Sequence, residues 1–249
     1  MERDIEKEKS EQLLVDVLTE MPVQFEAGGR YFSLFPKTLG LRMLIDNLKP
    51  QLEVDEENVK INPNLECLRI CQDKQDLVLR MIAYATTRKR SKIQDARHIA
   101  MLSAFFKDNL ALEDMATLLL HILKDEDADV RQLKKYLRIS KENDRKREII
   151  KYKKKSKNQI SVGGVSIYGS LFSYFAETYG WSFEYIVWGI SYANLMLLYS
   201  DHMDNIYLTD EEAHNVPFRL LGDNTDVIDA SDPKNAEKIL AMIKNGEFR

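Results

Sequence analysis

Apolar residues recur at close to helical spacing along most of this chain. The exception comes early. In PVQFEAGGRYFSLF, Val23 and Phe25 alternate with polar neighbours, Gly28 and Gly29 can take positive φ, and the apolar run resumes from Tyr31 to Phe35. That spacing predicts a β-hairpin. A charged amphipathic helix is predicted before it, to about Thr19. After it, Pro36 stops strand pairing, and Thr38 is placed to cap a helix running to about Leu48, before Pro50. From Asn62 the period is helical again, through Leu65, Leu68 and Cys71, then Leu77, Met81, Tyr84 and Ala85. Ser91 with Gln94 reads as a capping box opening KIQDARHIAMLSAFFKDNL. EDMATLLLHIL carries acids at its front, as the helix dipole favours. KDEDAD reads as a turn and VRQLKKYLRI as a short helix.

The pattern changes after residue 140. SKENDRKREIIKYKKKSKN is a basic helix that trails into a linker, and SVGGVS reads as a boundary. Beyond it the helix starts are sharp. GSLFSYFAETYG ends at Gly180, a natural left-handed stop. Ser182 is placed to cap the next helix, with Trp181 and Ile186 as a hydrophobic staple; Ser191 caps the one after, with Ile190 and Leu195 as a second. Two fastened starts in succession predict a compact helical hairpin. The tail begins as a loop; Asp232 then caps a helix with Pro233 at its first position, ending near Gly246.

These elements predict a mainly α protein, bundle-like, with a small N-terminal β-hairpin and a small C-terminal helical subdomain. The expected divisions are 1–140, hairpin plus helices; 141–160, basic helix or linker; 161–215, aromatic acidic helices; and 216–249, a loop and helix. With 249 residues the chain needs no covalent staple. No run of about 18 apolar residues occurs, so no membrane span is expected. MERDIEKEKS lacks the apolar core of a signal peptide, which makes the cytoplasm the expected compartment.

Charge sharpens the division. The net charge is −4, but residues 1–157 hold 31 Lys and Arg against 27 acids, whereas residues 158–218 hold seven acids and no Lys or Arg. Within the latter, YGWSFEYIVWGISYANLMLLYSD packs two Trp, four Tyr and one Phe into Tyr179–Asp201. Phe175, Trp181 and Trp188 read as core, with Tyr185, Tyr192 and Tyr199 partly exposed. The candidate partner-binding set is Phe172, Phe175, Tyr179, Trp181, Tyr185, Trp188, Tyr192, Met196 and Tyr199. Tyr and Trp give large contact area at low entropic cost, and an acidic rim attracts basic partners.

Catalytic signatures are missing. There is no P-loop, GxGxxG, HExxH, GxSxG or CxxC pair. Cys67 and Cys71 lie on one helix face and read as two buried core residues rather than half a metal site. His121, in an apolar helix, reads as buried. Asp201, His202 and Asp204 lack a fourth ligand. The expectation is therefore a protein without cofactor or metal and without enzymatic activity. A helix-turn-helix reading of the aromatic segment fails because phosphate contacts need cations. The basic run remains as an alternative nucleic-acid contact, through Arg145, Lys146, Arg147, Lys151, Lys153, Lys154 and Lys155.

The aromatic stretch resembles the closing segment of tail-assembly proteins from phages and prophages of the Bacteroides group, which often carry a Tyr-Gly-Trp, then Trp-Gly-Ile-Ser-Tyr-Ala-Asn run. GGRYFSLFPKTLGLRMLI is similar to the start of such proteins, and LEDMATLLLHIL is compatible with their middle. The resemblance covers about a quarter of the chain and consists of hydrophobicity and capping patterns. It implies a tail-assembly chaperone in the bacterial host cytoplasm, which keeps the tape-measure protein soluble while tail tube subunits assemble around it. It also implies that the Lys153–Lys155 region is where a frameshifted extension would join. A structural tail or virion adaptor and a nucleic-acid-binding accessory protein stay open as alternatives, as does a homo-oligomer.

Overall fold

The computed structural model describes residues 2–153, 166–202, 206–217 and 220; for residues 2–6, 167 and 210 it describes the backbone alone. The chain is mainly helical, with one two-stranded antiparallel hairpin among the described residues. Helix α1 (Glu2–Leu18) is followed by β1 (Val23–Ala27) and β2 (Arg30–Leu34). Their register runs from Val23 opposite Leu34 to Ala27 opposite Arg30, and Gly28 and Gly29 take φ of 55° and 70° in the turn. Thr38 caps α2 (Leu39–Leu48) by accepting the Leu41 N–H. Next come α3 (Glu56–Ile61), α4 (Pro63–Asp73) and α5 (Gln75–Ala85), then α6 (Arg90–Ile93), α7 (Ala96–Asn109) and α8 (Leu112–Leu123). The rest are α9 (Glu126–Tyr136), α10 (Ile139–Ile150), α11 (Ile167–Tyr179), α12 (Phe183–Trp188), α13 (Tyr192–Ser200) and α14 (Asp210–Asn215). Among the described residues no helix is long and apolar enough to cross a membrane.

Two compact units emerge, Met1–Ile139 with Gly163–His202, and Ser140–Val162 with Met203–Arg249. The core of the first unit centres on α2, α4, α5, α7 and α8, where Ile45, Ile70, Val78, Ile82, Phe106 and Leu119 are sealed from solvent. Phe25 and Phe32 of the hairpin stack at 5.6 Å and lie against Phe105 and Phe106, which fixes the ribbon to that core. Cys67 and Cys71 are buried free thiols of the same core. Burial pushes both thiols up, that of Cys71 to about 12, so neither is a reactive thiolate at neutral pH.

Five local expectations are corrected. The apolar residues of α1 do not form one stripe: Leu13, Leu14 and Val17 are packed inward, while Val15 and Leu18 are exposed. Ser91 does not open the long helix; Asp95 does, accepting the N–H groups of Arg97 and His98 at 3.0 and 3.3 Å. Ser91 lies inside the short α6, which Gln94 ends, so the cap of the longer helix falls to Asp95. KDEDAD is the first turn of α9, capped by Asp125, rather than a free turn. Leu65 stands out in solvent, because α4 turns Cys67, Ile70 and Cys71 inward. His121 is exposed on α8.

In the second unit, Arg145 donates from Nε to the Leu220 carbonyl at 2.8 Å. Thr209 and Glu212 form a reciprocal capping box at the start of α14.

Candidate protein-interaction site

The aromatic segment is built from local signals. Gly180 takes φ 65° and ψ 22° and ends α11, donating its N–H to the Ala176 carbonyl at 3.1 Å. Ser182 then accepts the Tyr185 N–H and opens α12, and Ser191 accepts the Asn194 N–H and opens α13. Trp181 packs with the cluster that contains Ile186, and Ile190 and Leu195 share it too.

Phe175 is the centre of this cluster, at 0% exposure, with Leu39, Leu171, Ile186 and Leu195 around it. Trp181 stacks on it almost face to face, 5.2 Å between centroids and 4° between planes. Tyr179 stacks on Trp181 at 4.9 Å, and Tyr185 meets Trp181 edge-on at 5.0 Å. A sealed ring thus supports a half-buried ring, which supports two exposed ones.

The other face of the segment is fastened to the N-terminal helices. Thr38 and Ser191 form an isolated antiparallel bridge, and Tyr192 donates its N–H to the Lys37 carbonyl at 2.7 Å. The Ser191 N–H is bound by Glu20 Oε1 at 2.7 Å, and Asn194 Nδ2 donates to the Val17 carbonyl at 2.9 Å. Tyr192 donates its hydroxyl to Asp127 Oδ1 at 2.8 Å while the Arg42 guanidinium lies 3.9 Å over its ring. Arg42 holds Asp127 through both nitrogens, at 3.2 and 2.6 Å. Burial and the Asp127 carboxylate push the Tyr192 phenol up to about 12, so it stays a donor. Beside this latch, Lys37 is buried and donates Nζ to the carbonyls of Ile122 and Lys124 at 2.9 and 3.2 Å, satisfying the end of α8. Trp188 lies against Gly40 of α2, where an added Cβ would come within 2.7 Å of the indole.

The nine sequence candidates therefore divide. Phe175 is sealed inside, and Trp188 and Tyr192 face α2. Met196 is half-buried between two clusters, and Tyr199 is half-buried beside Tyr174 at 5.4 Å. Phe172, Trp181, Tyr179 and Tyr185 form the outer face, the last two 43% and 44% exposed. Sequence reasoning missed Phe183, which is 64% exposed and packs 4.7 Å from Phe172. Its position gave no signal of exposure, because a residue three before Ile186 falls on the same side of α12 as that buried side chain.

Glu177 and Glu184 are exposed on the same helices. The absence of cations holds along the sequence but not in space, because Arg90 of α6 lies 3.5 Å from Glu184 and Arg42 covers Tyr192. In the basic run, Arg145 and Arg147 pair with Glu142 and Asp144 at 3.0 and 3.3 Å. Lys151 and Lys153 are exposed, Lys146 lies on α10, and Lys154 and Lys155 fall outside the described residues. So do Asp204 of the acid–histidine cluster, the tail helix expected from Asp232 to Gly246, and residues 161–165 of the SVGGVS boundary. His202 places Nδ1 2.8 Å from the Tyr199 carbonyl. Among the described residues no three His, Cys, Asp or Glu side chains are grouped as a metal would need.

Comparison with protein families, with curated proteins and with solved structures finds no match for this chain.

Proposed function

We propose that this chain is a non-enzymatic tail-assembly chaperone that binds a tape-measure-like protein through the outer face of α11 and α12 in the bacterial cytoplasm. The observation that carries this reading is the exposed row of Tyr179, Phe183 and Tyr185 beside a fixed aromatic stack, with Glu177 and Glu184 among them. Exposed aromatics on a rigid support offer contact area without an ordering cost at binding. A long amphipathic client helix presents the complementary surface, its apolar stripe for the rings and its cations for the carboxylates. The nucleic-acid alternative is weakened by the carboxylates that already partner Arg145 and Arg147.

The test is co-expression with the longest helical protein encoded beside this one. The client is expected to stay soluble with the wild-type chain and to aggregate with a Phe183→Asp, Tyr185→Asp variant whose circular dichroism is unchanged. A client equally insoluble with and without the chain contradicts the reading. Recovery of the chain in purified mature virions supports the tail-adaptor alternative instead.

A further inference from the structure

A trough runs along the junction of α5 and α7. Lys107, near the end of α7, meets Asp76, at the start of α5, at 3.0 Å, so the two helices lie antiparallel. Between them is a cleft of about 560 Å³. On its α5 side Asp76, Arg80 and Tyr84 stand four residues apart in one row, and the residues at 78, 79 and 81–83 are buried, so this row is most of what α5 shows to solvent. On its α7 side Ala96, Ala100 and Ala104 keep the same spacing, and all three are exposed. A methyl group fills little of a cleft, so the backbone of α7 is open to close approach. From Ala96 to Lys107 the lining spans about 16 Å along the axis, at about 1.5 Å per residue. That matches about three turns of a third helix laid between the first two.

Charge selects the occupant. Asp76 is already taken by Lys107. Arg80 is exposed in the cleft wall, and among the described residues its guanidinium has no ion-pair or hydrogen-bond partner. The guanidinium of Arg97 is likewise exposed and without a partner among the described residues. Arg97 stands three and seven residues before Ala100 and Ala104, so it borders the alanine row on the side away from the buried Ile99. Two unpaired guanidinium groups therefore flank an uncharged floor, one on each helix. We propose that the α5–α7 trough seats an acidic amphipathic helix of a second polypeptide, its small and apolar residues on the alanine row and its carboxylates on Arg80 and Arg97. Arginine takes a carboxylate through two parallel N–H donors. The charge preference is opposite to that of the α11–α12 face, where Glu177 and Glu184 call for cations, so the two faces take different partners. Nucleic acid suits the trough less well, because Asp76 and the exposed Asp108 place carboxylates at the Lys107 end, where a phosphate backbone would be repelled.

The experiment is fluorescence anisotropy of the full chain with two labelled helical peptides of about 20 residues. One carries glutamates on both flanks of an Ala/Leu stripe, the other lysines in the same places. The glutamate peptide is expected to bind with a Kd of about 10 to 100 µM, and the lysine peptide at least about tenfold more weakly. Arg80→Ala combined with Arg97→Ala should weaken the glutamate peptide about tenfold and flatten its salt dependence. Ala104→Lys adds a cation but obstructs the floor. It should weaken the same peptide too, whereas attraction by charge alone would strengthen it. All three positions are exposed, so the melting curves should match the wild type. Phe183→Asp should leave peptide binding unchanged, so the two faces fail separately. Absence of glutamate-peptide binding at about 1 mM, equal binding of the two peptides, or tighter binding by Ala104→Lys overturns the proposal. So does a single-stranded oligonucleotide that binds more tightly than the glutamate peptide, or loss of peptide binding in Phe183→Asp.

Discussion

Phe175→Ala is expected to destabilise the first unit by about 4 kcal/mol, the range found when a sealed phenylalanine is truncated. Phe175 touches no water and contributes the inner ring of the stack that carries Trp181, Tyr179 and Tyr185. Removing it leaves a cavity among Leu39, Leu171, Ile186 and Leu195 and deprives Trp181 of its stacking partner. Against a typical domain stability of about 5–15 kcal/mol, that is a large fraction. Chemical denaturation monitored by tryptophan fluorescence measures it, because Trp181 and Trp188 both lie in this segment. Phe175→Leu keeps most of the volume and should cost less than about 2 kcal/mol while retaining client binding. Equal losses for both variants would mean that the ring stack, not the filled volume, holds the segment.

Glu66→Ala is expected to cost about 2 kcal/mol, because it leaves the Asp55 N–H and the Asn58 amide without their acceptor, whereas Arg69 is part-exposed and can turn to water. Its side chain is 1% exposed and accepts from Arg69 Nε and Nη2 at 3.0 and 2.6 Å, from the Asp55 N–H at 2.8 Å and from Asn58 Nδ2 at 3.3 Å. It thereby ties the loop before α3 to α4. The Arg69 guanidinium first, with the Asp55 and Asn58 donors, holds the carboxyl down to about 2 from an ordinary 4.5. A depressed carboxylate contributes stability that is complete above the unfolded value and is lost as pH falls through the folded one. The wild type should therefore lose this contribution between pH 4.5 and about 2. Glu66→Gln should be less stable at pH 7 and show a shallower acid dependence across that window. Urea melts at pH 7 and pH 3 measure both; parallel pH profiles for the two proteins would refute the assignment.

Features that depend on a few adjacent residues were legible in the sequence. The Gly28–Gly29 turn sets the hairpin, Gly180 supplies the left-handed stop, and Thr38, Ser182 and Ser191 each cap the helix expected of them. Features set by a distant partner were not. Asp127 looked like part of an acidic turn, but Arg42 and Tyr192, far away in sequence, converge on it. Leu65 fits the helical period of α4, yet the neighbours that decide which face is buried come from α8. In the aromatic segment, periodicity identified a helical pair rich in rings. It could not separate the ring that fills the core from the ring that stands outside, because Phe175 and Phe183 differ only in what packs against them.

The central claim is that the exposed row on α11 and α12 greets a client polypeptide. A photo-reactive amino acid placed at 183 or 185 during co-expression tests it most directly, with the equally exposed Met101 of α7 as the control position. Covalent adducts with the client from 183 and 185, and none from 101, are the predicted result. Adducts from 101 alone, or from no position while the client nonetheless stays soluble, would contradict it.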